Sequence, residues 1–139
     1  MIDFAFFDYV QSLTFDGDLY LGNANGKTPP YLVMYKVSDE ERPNVLCYEQ
    51  GDSGQALFIF DYWMGGQDNY PVNQDITLLK ADGIKRQIAA KKGLITDGTN
   101  DYRIWHNKTT GAVIVGDGNN ESGIYTARFT VLLYWDIMS

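Results

Sequence analysis

The sequence predicts an α+β fold: a mixed or antiparallel β-sheet with two helices packed on one face, plus a long loop or hairpin extension. Three observations carry that expectation. The stretch from Tyr125 to Ile137 alternates with period two: Tyr125, Ala127, Phe129, Val131, Leu133, Trp135 and Ile137 are apolar or aromatic, and most residues between them are polar. That is the pattern of a long strand half-buried on one face. Two other stretches space their apolar residues by three and four, as amphipathic helices do. The segments also follow the order helix, strand, excursion, strand, helix and three closing strands.

The first helix is expected near the N-terminus, where Ile2, Phe6, Tyr9, Val10 and Leu13 share a stripe and Asp3 suits the positive end of the helix dipole. Phe15-Asp-Gly-Asp18 ends it. Leu19-Tyr-Leu21 reads as a short strand, and Asn23 to Pro30 as turn chemistry. Tyr31 to Ser38 reads as a strand with Tyr31, Val33, Tyr35 and Val37 on one face; Pro29 and Pro30 precede it, where a strand tolerates proline.

Residues 38 to 54 are polar and mostly acidic, with the apolar patch Val45-Leu-Cys-Tyr48 in the middle. A long connection in a compact domain is usually functional or disordered. The sequence therefore singles out this segment as an interaction arm, ordered mainly on assembly, with Asp39, Glu40, Glu41, Val45, Leu46, Tyr48 and Glu49 as its contact residues. The competing expectation is a solvated connection.

Gln55 to Trp63 reads as a strand with apolar residues on both faces: Phe58, Phe60 and Tyr62 on one, Leu57, Ile59, Asp61 and Trp63 on the other. Such a strand is central, or its outer face is covered by a partner. Gly65-Gly66 ends it. A second helix is expected over 75 to 92, capped by Asn73 or Asp75, with Leu78, Ala81, Ile84 and Ile88 as its stripe and a break allowed at Gly83. Lys80, Lys85, Arg86, Lys91 and Lys92 make it basic, read as a solvated face rather than a nucleic-acid site. Tyr102 to Trp105 and Ala112 to Val115 read as strands joined by a turn at Lys108-Thr-Thr-Gly111. A flexible hairpin loop over 116 to 123 leads into the last strand.

With 139 residues the chain is expected to form one domain, 1 to 139, able to bury a core without staples. Ten Tyr, seven Phe and three Trp lean it toward β structure. A net charge of −7 argues against tight duplex binding, where phosphate neutralisation dominates affinity. The single cysteine, Cys47, excludes an internal disulfide. Acid rather than Lys or Arg leads the N-terminus, unlike a signal peptide, and no run reaches membrane-spanning length.

Catalysis needs a base, an orienting group and a reactive partner that converge. The lone His106 has no such companions in sequence, so no enzyme, metal or cofactor is expected. Asp16-Gly-Asp18 and Asp117-Gly-Asn119 hint at calcium without the rest of its loop. Asp61 is read three ways: a buried acid, an acid bonded to loop backbone, or an acid at a subunit contact.

The chain resembles the tail terminator, or tail completion, proteins of long-tailed bacteriophages. The resemblance runs over nearly the whole chain. It rests on the N-terminal helix, Pro30-Tyr-Leu-Val-Met-Tyr35 with Val37-Ser38, Phe58-Ile-Phe-Asp-Tyr-Trp63, the amphipathic second helix, and Gly123 to Trp135. It implies a virion structural protein, assembled in the host cytoplasm, that forms a homomeric ring of six at the head-proximal end of the tail tube. The ring would stop tube polymerisation and present a surface to head completion or connector proteins, and genome DNA would pass through its lumen without specific binding. Apolar surface beyond one small core suits such an interface, and Trp63, Leu132 and Tyr134 are assigned to it, with Leu57 and Ile59 beside them. Two alternatives stand beside this expectation. One is a head-closure or adaptor protein of the same neck. The other is a non-catalytic ligand- or sugar-binding β-module using Trp63, Trp105 or Trp135.

Overall fold

The structure, a computed structural model, describes residues 2–42, 53–65, 74–91, 93–115 and 124–138. In chain order these form α1 (Ile2–Gln11), β1 (Asp18–Leu21), β2 (Tyr31–Arg42), β3 (Ser53–Gly65), α2 (Gln74–Ala89), β4 (Gly93–Thr96), β5 (Asp101–Thr109), β6 (Val113–Val115) and β7 (Ile124–Met138). The strands make one sheet in the order β1-β2-β3-β7-β5-β4, with β6 also paired to β7. All pairings are antiparallel except β1 with β2, so the sheet is mixed and the fold α+β, as the segment order predicts.

The longest strand is central because its pattern allows nothing else. Ala127, Phe129, Val131, Leu133 and Trp135 on the odd face of β7 are all buried. They lie in one layer with Leu32 and Met34 of β2 and with Ala56, Phe58, Phe60 and Tyr62 of β3. Both helices close this layer from the same side: Ile2, Ala5, Phe6 and Val10 from α1, and Ala81, Ile84 and Ile88 from α2. The Phe6 ring sits 4.9 Å from Phe58 and 5.8 Å from Phe60, and Phe60 stacks on Phe129 at 5.1 Å. Helix α1 packs on β1 and on β4, which end the sheet on opposite sides, so the sheet curls around it.

Several expectations change in detail. At both its ends the excursion over 38 to 54 takes the form of the hairpin extension, one of the two forms expected for it. β2 continues to Arg42 and β3 starts at Ser53, with Asp39↔Ala56, Glu40↔Gln55 and Glu41↔Gly54 in register, so backbone pairing overrides the polar side chains. Helix α2 passes Gly83 unbroken. Its buried stripe takes Thr77, while Leu78 is only partly buried. Tyr31, Val33 and Tyr35 do share a face, but it is the outer one; Leu32 and Met34 point into the core. Strand β4 is not among the expected elements: Gly93-Leu-Ile-Thr96 is short, and only Ile95 is buried.

The chain does not reverse at Lys108-Thr-Thr-Gly111. Thr110 donates its N–H to the Thr130 carbonyl at 3.1 Å, and the Thr130 N–H donates to the Thr110 hydroxyl at 3.0 Å. β5 and β6 are therefore successive segments along the same side of β7, at Val131–Met138 and Thr126–Arg128 respectively.

Candidate assembly surface

Both helices pack on one face of the sheet; the other carries the half-buried and buried side chains that the helices do not reach. This outer face is set by the alternation of β2, β3 and β7, which sends Tyr31, Val33, Tyr35, Leu57, Ile59, Asp61, Trp63, Thr126, Arg128, Thr130, Leu132, Tyr134 and Asp136 to one side. It is apolar with paired charges, which is the composition of a contact surface rather than of a solvated sheet.

At its centre Asp61 and Arg128 lie directly opposite each other on β3 and β7. The Arg128 guanidinium donates to both carboxylate oxygens, Nε–Oδ1 at 2.7 Å and Nη2–Oδ2 at 2.9 Å. Asp61 is only 3% exposed, so this two-pronged bond is what makes its burial tolerable. The bond to Asp61 pushes the Arg128 pKa up, against the opposing effect of partial burial. Nearby, burial pushes the Tyr35 phenol up, and the Asp61 charge adds to the shift. Asp61 is thus bonded to a neighbouring strand, not to loop backbone.

Two aromatic groups flank the pair. Toward β1, Trp63 stacks on Tyr31 at 5.9 Å, Tyr31 meets the Tyr20 ring edge-on at 6.0 Å, and the Lys27 ammonium lies 5.6 Å above Tyr20. Toward β5, a register shift between Ile104 and His106 turns Trp105 and His106 to the same neighbour. Their rings lie 5.1 and 5.4 Å from that of Tyr134. Trp105 is 56% exposed. Beside it, Arg103 donates to the Asp136 carboxylate at 2.5 Å. Ser53, Gly54, Arg103, Trp105, Tyr134 and Asp136 line an open groove of about 540 Å³.

The residues the sequence assigns to an interface divide into three groups. Trp63, Leu132 and Tyr134 are half-buried on the outer face. Asp39, Glu40 and Glu41 belong to the end of β2. Val45, Leu46, Tyr48 and Glu49 lie outside the described residues. Trp105 joins the surface through the register shift, which no sequence pattern announces. Arg128 carries a readable signal: it and Asp61 are opposite charges in the interiors of two strands of the same sheet. Trp135, a candidate sugar platform, is buried in the core.

Among the described residues no group of three or more His, Cys, Asp and Glu side chains gathers where a metal ion would sit. Among them, too, no helix is long and apolar enough to cross a membrane.

No family model matches the chain, and no curated protein matches it. Solved structures that superpose on it include one with a TM-score of 0.49 at 14% identity, over 99% of this chain and 94% of its own length. A likeness at that level carries no functional argument.

Proposed function

We propose that this chain is a virion structural protein, a tail terminator that forms a ring on the head-proximal end of a phage tail tube. The observation that carries the proposal is the outer sheet face. It holds half-buried aromatic and apolar side chains around a satisfied ion pair, and no described helix packs over it. Surfaces of this kind are interaction surfaces in soluble proteins. The order of segments on which the resemblance rests supports the same reading.

In this reading subunits join head to tail into a closed ring, six in number as the family resemblance implies. One rim meets the last ring of tube protein and the other the head completion proteins. Genome passes through the lumen, and surplus acid (Asp39, Glu40 and Glu41 among the candidates) repels its phosphates, more strongly at low salt. The reading includes no catalysis, no cofactor and no tight DNA binding.

The test is imaging of virions or isolated tails with this chain labelled. A single ring between tube and head is the expected result. Label along the whole tube, or in fibres at the far end, would overturn the reading, and a ring bound only to the head portal would replace it with the adaptor role.

A ligand-binding module has one observation in its favour, the exposed Trp105 beside the Arg103–Asp136 pair in an open groove. Saturable binding of an oligosaccharide, abolished by Trp105→Ala, would favour it over the ring.

A further inference from the structure

The pairing registers place five strands side by side at one height. Asp18 is level with Tyr31, Trp63, Thr126 and Val115; Leu19 with Leu32, Tyr62, Ala127 and Ile114; and Tyr20 with Val33, Asp61, Arg128 and Val113. At this height the sheet ends in β1 on one side and β6 on the other. Each pairs with a single neighbour, and no described strand takes its second side. Unpaired strand edges are templates for another strand, and proteins that keep them free of Pro and inward-pointing charge leave them open to pairing.

We propose that the β6 edge of one subunit pairs with the β1 edge of the next copy, continuing the sheet from subunit to subunit. This rests on the ring reading and supplies that ring's subunit contact. Four features of the edges fit.

Polarity comes first. β1 runs parallel to β2, β2 antiparallel to β3, β3 to β7, and β7 to β6, so β1 and β6 of one chain point in opposite directions. A copy placed beside the first in the same orientation therefore meets it as an antiparallel pair, the more stable ladder. Register and facing come next. With no vertical offset Val113 pairs with Tyr20, Ile114 with Leu19 and Val115 with Asp18, so outer residues meet outer residues and core-side residues meet core-side residues. Third is apolar surface: Val113 and Val115 are 59% and 41% exposed, and Leu21 at the end of β1 is 42% exposed. Last is charge. Exposed Asp18 starts the β1 edge, and the β6 edge, Val113-Ile-Val115, carries no acid that would repel it. The contact is heterologous, so it closes into a ring or propagates.

The test places Tyr20→Cys and Val113→Cys together in one chain, with Cys47→Ser to remove the natural thiol. Within a chain the two positions are four strand spacings apart, roughly 19 Å along the sheet, too far for a disulfide. Under mild oxidation the concentrated protein should give an interchain ladder, while each single-cysteine chain stays monomeric. Val113→Lys with Val115→Lys, at exposed positions, should abolish the assembly and leave the melting temperature unchanged. Absence of the ladder overturns the edge pairing, as does a dimer from the Val113→Cys chain alone, which would mean β6 pairs with itself. Rings on tails without the ladder would leave the terminator reading standing and remove this contact. A ladder from a chain that never caps tails would do the reverse.

Discussion

Asp61 and Arg128 face each other across β3 and β7 in the middle of the outer sheet face, joined by bonds of 2.7 and 2.9 Å. The two partners are not equally placed. The Asp61 carboxylate is walled in, while the Arg128 guanidinium still reaches solvent. Truncating one or the other should therefore have different consequences. Arg128→Met strands a buried carboxylate and should cost about 3 kcal/mol. Asp61→Ala lets the guanidinium turn to water and should cost about 1–2 kcal/mol. Urea unfolding of the two single variants and the double variant measures this, and equal costs would contradict the asymmetry.

The core is tested at Val131, fully buried between the sheet and α2. Val131→Asp places an unpaired charge there and should yield a chain without a cooperative melt. Phe58→Ala, a cavity in the same layer, should leave a folded protein weakened by about 3–5 kcal/mol. A Val131→Asp protein that melts cooperatively would remove the core assignment.

One substitution at two glycines should have opposite signs. Gly83 lies inside α2 with nothing within 4 Å of where a Cβ would project. Gly83→Ala should stabilise by about 1 kcal/mol through helix propensity. Gly17 has φ +103°, and a Cβ there would lie 2.2 Å from the Pro30 carbonyl oxygen. Gly17→Ala should destabilise by more than about 1 kcal/mol, since both the backbone angle and the space oppose it. Thermal melts of the pair decide it.

Acid stability has an identifiable contributor in the turn between β4 and β5. The Asp97 carboxylate accepts the N–H groups of Asn100 at 2.7 Å and Thr99 at 2.9 Å, and these bonds hold it well below the ordinary carboxylate range. Asp82 is lowered too, by its bonds to Lys85 and Arg86. A folded-state pKa below the unfolded value gives stability that is present above the unfolded pKa and lost as pH falls through the folded one. The melting temperature should thus fall as pH drops below about 4. Asp97→Asn, which keeps an acceptor oxygen and removes the titration, should flatten that fall. An unchanged slope in the variant would show that the turn does not contribute.

The sequence by itself determined most of the fold. The odd face of β7 was legible because period two over so long a run allows one buried side. The stripes holding Phe6, Val10, Ile84 and Ile88 were legible because helical spacing is equally restrictive. Apolar residues on both faces of β3 marked the strand as central, and the surplus at Leu57, Ile59 and Trp63 pointed to a second surface. Only the tertiary structure decided what depends on pairing. Leu32 and Met34, not Tyr31 and Tyr35, face the core, since either face of β2 is apolar enough to be buried. Asp39 to Arg42 extend β2, because a backbone ladder with Ser53 to Ala56 does not ask for apolar side chains. Thr110 carries the chain straight from β5 to β6 through its bonds to Thr130, a partner twenty residues away that no local pattern names. The surface built from Asp61, Arg128, Trp105 and Tyr134 has the same origin. Its residues come from three strands, and only the register between those strands sets them side by side.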